Sequence, residues 1–238
     1  RDHHGIMVEG LDLEDSYILF WNQNGGPTII TANTALRIHN SLIVGQGQLS
    51  ADRELPNLSD DVTTSIAASR STFVGLRSAF SIGVPTEMTL EDNIFAKEVL
   101  LHFYPDPRDF DEARNRLKSY QGDSNLFERR LYFGGQFGGL GNASNFARWL
   151  ELTRNGEVSP TFADLRFAVD ELAGKAGERL FPPSAFRLIS SDPAVESPVG
   201  CDVSQLPDLP PNLYQVLPAE FLPPEELLRD LPEVPVMR

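Results

Sequence analysis

Ser59-Asp60-Asp61-Val62-Thr63-Thr64-Ser65-Ile66-Ala67-Ala68-Ser69-Arg70-Ser71-Thr72-Phe73-Val74-Gly75-Leu76-Arg77-Ser78-Ala79-Phe80 is the stretch on which the fold class turns. A serine followed by two acids is a helix start, because acidic side chains are favoured beside the unpaired N–H groups of a first turn. Val62, Ile66, Phe73, Leu76 and Phe80 then follow helical spacing. The spacing predicts a helix over 59–80 and places a mainly helical body downstream of it.

Working outward, Thr89-Leu90-Glu91-Asp92 resembles a capping box ahead of Ile94, Phe95, Val99, Leu101 and Phe103, with a stop at Tyr104 before Pro105. A short helix is expected from Arg108 to Ser119, ending near Gly122, and a helical stretch at Phe146–Leu152. The clearest signal covers 160–180. Ser159 caps, Pro160 takes the first helical position, and Phe162, Leu165, Val169, Leu172, Ala176 and Leu180 form one stripe before Pro182-Pro183. On the N-terminal side, Tyr17–Trp21 and Thr28–Thr31 flank Asn24-Gly25-Gly26, a β-hairpin signal, and Leu36–Val44 reads as a further extended run. No internal repeat of 20–50 residues is evident. The expected fold is therefore α+β: a globular domain over 1–190, β-rich in 1–50 and helical in 59–190, followed by an extended arm over 191–238.

That arm is unusual in composition. From Asp192 to Arg238 it carries nine acidic residues against two arginines and ten of the eighteen prolines of the chain. Disordered tails are normally poor in apolar residues, yet here Leu206, Leu209, Leu213, Tyr214, Leu217, Phe221 and Leu222 are interleaved with the prolines. Proline-rich chain is already extended and loses less entropy on docking than ordinary chain does. These seven residues are the expected partner-binding set, lying in a hydrophobic groove that belongs at least partly to a neighbouring chain.

The bulk numbers narrow the function classes. A net charge of −14 at pH 7 over 238 residues disfavours phosphate backbones and anionic lipid as direct ligands. No apolar run reaches the roughly 20 residues that span a bilayer. Cys201 is the only cysteine, so neither an internal disulfide nor a multi-cysteine zinc site can form; nothing in the sequence assigns a compartment. The chain starts at Arg1 without a methionine, as a processed component would.

Candidate sites are few. Phe133-Gly134-Gly135-Gln136-Phe137-Gly138-Gly139-Leu140-Gly141-Asn142 invites a nucleotide reading, but Ser144 replaces the last glycine of the dinucleotide fingerprint and no P-loop lysine follows. A close-packing loop pinned by its phenylalanines is the simpler account. Among the histidines, His3 and His4 could ligate a metal beside Asp12, Glu14 and Asp15, and His102 reads as a packed histidine on an apolar helix face. No complete ligand set emerges, and neither metal nor cofactor is expected. Asp106, Asp109, Asp111 and Glu112 lack the order of a calcium loop and fit a helix start. Cys201 has no adjacent cation to activate it, and no nucleophile elbow or zinc-protease motif occurs. The expectation is a non-catalytic structural or interaction subunit of a larger assembly, such as a capsid-like shell, whose arm docks on a neighbour. The alternative is a hydrolase or metal-dependent enzyme whose site is built from residues far apart in sequence.

Overall fold

A computed structural model of the chain describes residues 4–20, 28–45, 47–51, 63–76, 78–96, 99–134, 144–168, 182–189 and 199–207. Strand makes up 55% of these residues and helix 13%, so the body is not mainly helical. The strands are β1 (His4–Glu14), β2 (Tyr17–Phe20), β3 (Thr28–His39), β4 (Leu42–Gly45), β5 (Gly47–Ala51), β6 (Thr64–Ser69), β7 (Thr72–Val74) and β8 (Ser78–Ile82). They continue as β9 (Thr86–Glu91), β10 (Ile94–Ala96), β11 (Val99–Phe103), β12 (Leu117–Asp123), β13 (Leu126–Glu128), β14 (Tyr132–Gly134), β15 (Glu157–Val158) and β16 (Thr161–Ala163). The two helices are α1 (Phe110–Arg116) and α2 (Ser144–Leu152).

Every ladder between these strands is parallel. The chain winds as a solenoid, returning to each face once per coil. One face stacks the C-terminal half of β1, that of β3, then β6, β9, β12 and β15. The second stacks β2, β4, β7, β10, β13 and β16. The third stacks the N-terminal halves of β1 and β3 with β5, β8, β11 and β14. The predicted hairpin is thus corrected: its two strands exist, but β2 pairs with β4 and β3 with β1, β5 and β6, none of them antiparallel.

A repeat is present after all. Asp15, Asn40, Arg70, Asp92, Ser124 and Ser159 each have φ between 41 and 60° and each turns the chain from the first face into the second. The residues after them align as Ser16-Tyr17-Ile18, Ser41-Leu42-Ile43, Ser71-Thr72-Phe73, Asn93-Ile94-Phe95, Asn125-Leu126-Phe127 and Pro160-Thr161-Phe162. Its spacing is irregular, from 22 residues between Arg70 and Asp92 to 35 between Ser124 and Ser159, because segments of different length enter at the corners, chiefly that between the third and first faces. α1 and α2 are two of these insertions.

The same arrangement explains the overturned helices. Over 64–69 the side chains alternate between buried and half-buried, the period of a strand, and Phe73 and Phe80 are core residues of two further strands. Residues 86–103 form β9, β10 and β11, so Thr89 lies within a strand and not at a cap. Ser159 sits in the left-handed corner rather than at an N-cap, and Thr161–Ala163 is β16. Residues 169–181, the remainder of that predicted helix, lie outside the described residues, as do 59–62. The short helix expected at 108–119 is realised over 110–116 as α1, with Asp109 Oδ1 accepting from the Glu112 N–H at 2.8 Å, while 117–119 begin β12; that at 146–152 is realised as α2.

Side chains pointing into the coil form in-register columns. Ile18, Ile43, Phe73, Phe95, Phe127 and Phe162 make one of them. Phe73 and Phe95 stack at 4.9 Å, Phe95 and Phe127 at 5.5 Å. Offset parallel rings at this spacing fit the ~4.8 Å separation of neighbouring strands, so backbone pairing and ring packing reinforce one another. At the last coil α2 supplies the cover: Phe146 meets Phe133 and Phe162, and Trp149 meets Tyr120 and Phe133.

Candidate functional site

The outer side of the second face is apolar, and it is the chain itself that covers it. Leu42, Val44, Val74, Ile94, Ala96, Leu126 and Ala163 are buried beneath Leu165, Phe167, Ala185, Phe186 and Leu206. This overlying strap runs back toward the first coils, where Phe186 packs against Tyr17 with ring centroids 6.3 Å apart. Its final part is fixed by polar contacts at the corner. The Gly200 N–H donates to the Asp92 carbonyl at 2.8 Å, the Cys201 N–H to Thr72 Oγ1 at 3.0 Å, and the Asp202 N–H to Asn40 Oδ1 at 2.7 Å. Asn40 Nδ2 in turn donates to Asp15 Oδ1 at 2.6 Å and to Gln205 Oε1 at 3.2 Å.

The root of the predicted arm is therefore intramolecular. Leu206, one of the seven expected partner-binding residues, is 7% exposed and packs on its own body. Leu209, Leu213, Tyr214, Leu217, Phe221 and Leu222 lie outside the described residues. The described chain ends at Pro207 beside Asn40 and Asp15, hence at the first two coils.

At that end the interior is open. Ile6, Ile30, Leu49 and Phe80 share one inward column, yet Ile6 is 59% exposed whereas Leu49 and Phe80 are fully buried. Val8, Leu11 and Ile18, likewise the first members of their columns, are only partly buried. β1 hydrogen-bonds to β3 alone among the described strands. A strand edge without a partner among the described residues, beside apolar column ends, is a surface that favours docking. No sequence signal marked it, because exposure at Ile6 follows only from its position at the end of a stack.

The polar interior is a second constellation that the sequence did not disclose. The Ser16 N–H donates to Ser41 Oγ, that of Ser41 to Ser71 Oγ, that of Ser71 to Asn93 Oδ1 and that of Asn93 to Asn125 Oδ1, all at 3.0–3.1 Å. Asn125 Nδ2 continues to Glu157 Oε1 at 3.0 Å, and Tyr120 Oη donates to Glu157 Oε2. Gly122 permits this, since a Cβ there would overlap the Glu157 carboxyl. Burial pushes the Glu157 carboxyl above the ordinary carboxylate range, against the opposing pull of the hydrogen bonds from Asn125 and Tyr120. Burial, then the adjacent Glu157 charge, pushes the Tyr120 phenol well above its usual value. The cluster lies beneath α2 and inside the coil, where it ends the ladder.

Other candidates are dispersed. His102 is on β11, not on a helix, half-exposed, with Nε2 3.9 Å from Asp106 Oδ1; it pairs in register with Ser81. Ser81 is 1% exposed, so this Ser–His–Asp set does not present a nucleophile to solvent. Asp109 caps α1, and Glu112 is drawn down to about 2 by the Arg108 backbone N–H and then the Arg108 and Arg116 side chains. Burial lifts the Cys201 thiol to about 11, which keeps it protonated and unreactive near neutrality. Phe133 is buried in the core as a pinning residue, while 135–143 of the glycine run, and His3, lie outside the described residues. Among the described residues no three His, Cys, Asp or Glu side chains gather as a metal site, and no helix is long and apolar enough to cross a membrane.

Comparison of the chain with protein-family models, with curated proteins and with solved structures finds no match in any of the three.

Proposed function

We propose that this chain is a non-catalytic structural or interaction subunit of a larger assembly, and that its C-terminal arm docks on a neighbouring chain. The observation that carries the reading is the open apolar end of the solenoid, with Ile6 59% exposed, beside the point where the arm leaves the body. A coil end of this kind is an incomplete core. Stacked repeats bury their faces on neighbours, and terminal ones need a cover. The arm brings six large apolar residues, Leu209 to Leu222, from a root held at Asn40 and Thr72.

The enzyme alternative would need Ser81 to become accessible and His102 to turn toward it; both lie on an outward column of the third face. Light scattering over a range of protein concentrations tests the assembly reading. The full chain should exceed the monomer mass of 26.4 kDa. A chain truncated after Pro207 should be folded and monomeric. The cut falls there because residues 199–206 are part of the body. A full chain that is monomeric at all concentrations would refute it.

A further inference from the structure

We infer that the Glu157 carboxyl is a pH-sensitive latch for α2: neutral, it lets the helix close over the last coil, and ionised, it drives the helix away. The inference stands apart from the assembly reading above. Its basis is the setting of the carboxyl. Glu157 is 7% exposed, and its oxygens meet two donors, Asn125 Nδ2 at 3.0 Å and Tyr120 Oη, both of them neutral groups. Among the described residues, the charged group that acts on it is Asp123 on β12, whose carboxylate repels a second anion. Lys118, also on β12, is exposed. On the helices, Arg148 pairs with Glu151 at 2.7 Å and lies over the Phe110 ring, while Arg108 and Arg116 pair with Glu112. Neither these cations nor Arg114 and Arg154 act on the carboxyl. A carboxylate so placed gives up its hydration and gains no cation, and it regains water by displacing what covers it.

α2 is that cover, and it is held by apolar contact. Trp149, 2% exposed, packs edge-on against Tyr120 with ring centroids 4.9 Å apart and lies 5.7 Å from Phe133, while its Nε1 makes no hydrogen bond. The helix is joined to Glu157 by Thr153-Arg154-Asn155-Gly156, in which Arg154 and Asn155 both take left-handed φ, 56° and 60°. Sparsely populated backbone at the end of an element is where a hinge absorbs motion. The Gly156 carbonyl accepts from the Gly122 N–H at 2.7 Å, which keeps the strand side of the hinge fixed to β12. One proton links the two positions of the helix. Burial raises the closed carboxyl above the ordinary range, to which an opened one returns. The closed form is therefore most favoured below about 4.3, and above it the open-to-closed ratio climbs by at most about tenfold per pH unit until the closed value is passed. Tyr120, whose phenol is pushed well above its usual value, stays neutral throughout.

Trp21 and Trp149 are the two tryptophans of the chain, so Trp21→Phe leaves Trp149 as the sole reporter. Acrylamide quenching of that variant, followed from pH 4 to pH 9, should rise several-fold along a single-proton curve with far-ultraviolet circular dichroism unchanged. Adding Glu157→Gln, which is neutral at every pH, should hold quenching at its low-pH level. Hydrogen exchange of the unaltered chain, corrected for intrinsic rates, asks the same question without a substitution. Amides of 149–156 should lose protection as pH rises, while those of 86–96, in β9 and β10, keep theirs. Quenching that stays flat, or that rises equally with Glu157→Gln, overturns the latch. So does a rise that comes only with loss of the strand signal and of protection at 86–96, since the whole fold and not the helix would then be opening.

Discussion

Asn125 Oδ1 accepts two hydrogen bonds from Asn93, one from the backbone N–H and one from Nδ2, each at 3.1 Å. Both residues are fully buried, and each spends its remaining amide hydrogen on a carbonyl one coil back, Asn93 on Ala68 at 2.8 Å and Asn125 on Leu90 at 2.9 Å. The left-handed corners before them, Asp92 and Ser124, leave backbone groups that regular strand pairing cannot reach, and the asparagine side chains satisfy them.

Replacing Asn125 by leucine, of similar volume, removes these partners and leaves the buried Asn93 N–H unpaired. An orphaned buried donor costs about 1–3 kcal/mol, so Asn125→Leu should lower the urea midpoint with little change in m-value. Asn125→Asp retains the acceptor and should recover part of the loss at low pH, where the carboxyl is neutral. Equal midpoints for wild type and Asn125→Leu would mean that the ladder does not hold the corner.

Glu157 gives a pH dependence of defined sign. Because burial raises its folded-state pKa, the folded protein binds the proton more tightly than the unfolded chain. The stabilisation is fully present below the unfolded carboxylate value, about 4.3, and is lost as pH rises from there through the folded value. Thermal unfolding followed from pH 4 to pH 8 should therefore show the difference between Glu157→Gln and wild type shift in favour of the variant as pH increases. The exposed carboxylates are common to both proteins and cancel. A difference constant across that range would mean that Glu157 does not titrate differently on folding.

The ring column predicts a gradient. Phe95 is 1% exposed and lies between Phe73 and Phe127, whereas Phe162 at the last coil is only half-buried. Truncation of a buried phenylalanine to alanine costs about 3–5 kcal/mol, and the cost falls where neighbours or solvent can fill the space. Phe95→Ala should thus destabilise clearly more than Phe162→Ala in denaturant melts. The reverse order would show that the stack is not the principal packing axis.

Gly200 tests the strap. It has φ of 84°, and a Cβ there would lie 2.5 Å from Ile94 Cδ1 and 2.6 Å from Thr72 Oγ1. Gly200→Ala combines an unfavourable left-handed conformation with a clash, so the segment around 199–206 should lift from the second face. Limited proteolysis should then cleave the C-terminal region faster while the coil body stays resistant. Unchanged cleavage would place the anchoring of the strap elsewhere.

Local signals were legible wherever a few neighbouring residues decide the structure. Asp109 and the acids after it specified α1, and the apolar run at Phe146–Leu152 specified α2. The strand character of Tyr17–Phe20, Thr28–Thr31 and Leu36–His39 was equally clear, from branched and aromatic residues alone, although the last two stretches belong to one strand, β3. The acidic, proline-rich character of 192–238 and the absence of any cysteine but Cys201 are likewise properties of the sequence itself.

What pairs with what was decided by the tertiary structure. Three-residue strands such as Thr72–Val74 and Ile94–Ala96 are buried on both faces, inward on the phenylalanine column and outward beneath the strap, so they lack the alternation that betrays a strand. Across the corners that join them, apolar residues fall at intervals of three and four by geometry and not by helical turn, which is why Phe73, Leu76 and Phe80 imitated one. The partner of each strand lies 19 to 35 residues away, beyond the reach of local propensity, and the unequal insertions hide the period. Glu157 over Gly122 and the exposed Ile6 at a column's end acquire their meaning only from the coil above or below, because burial is a property of the stack and not of the residue.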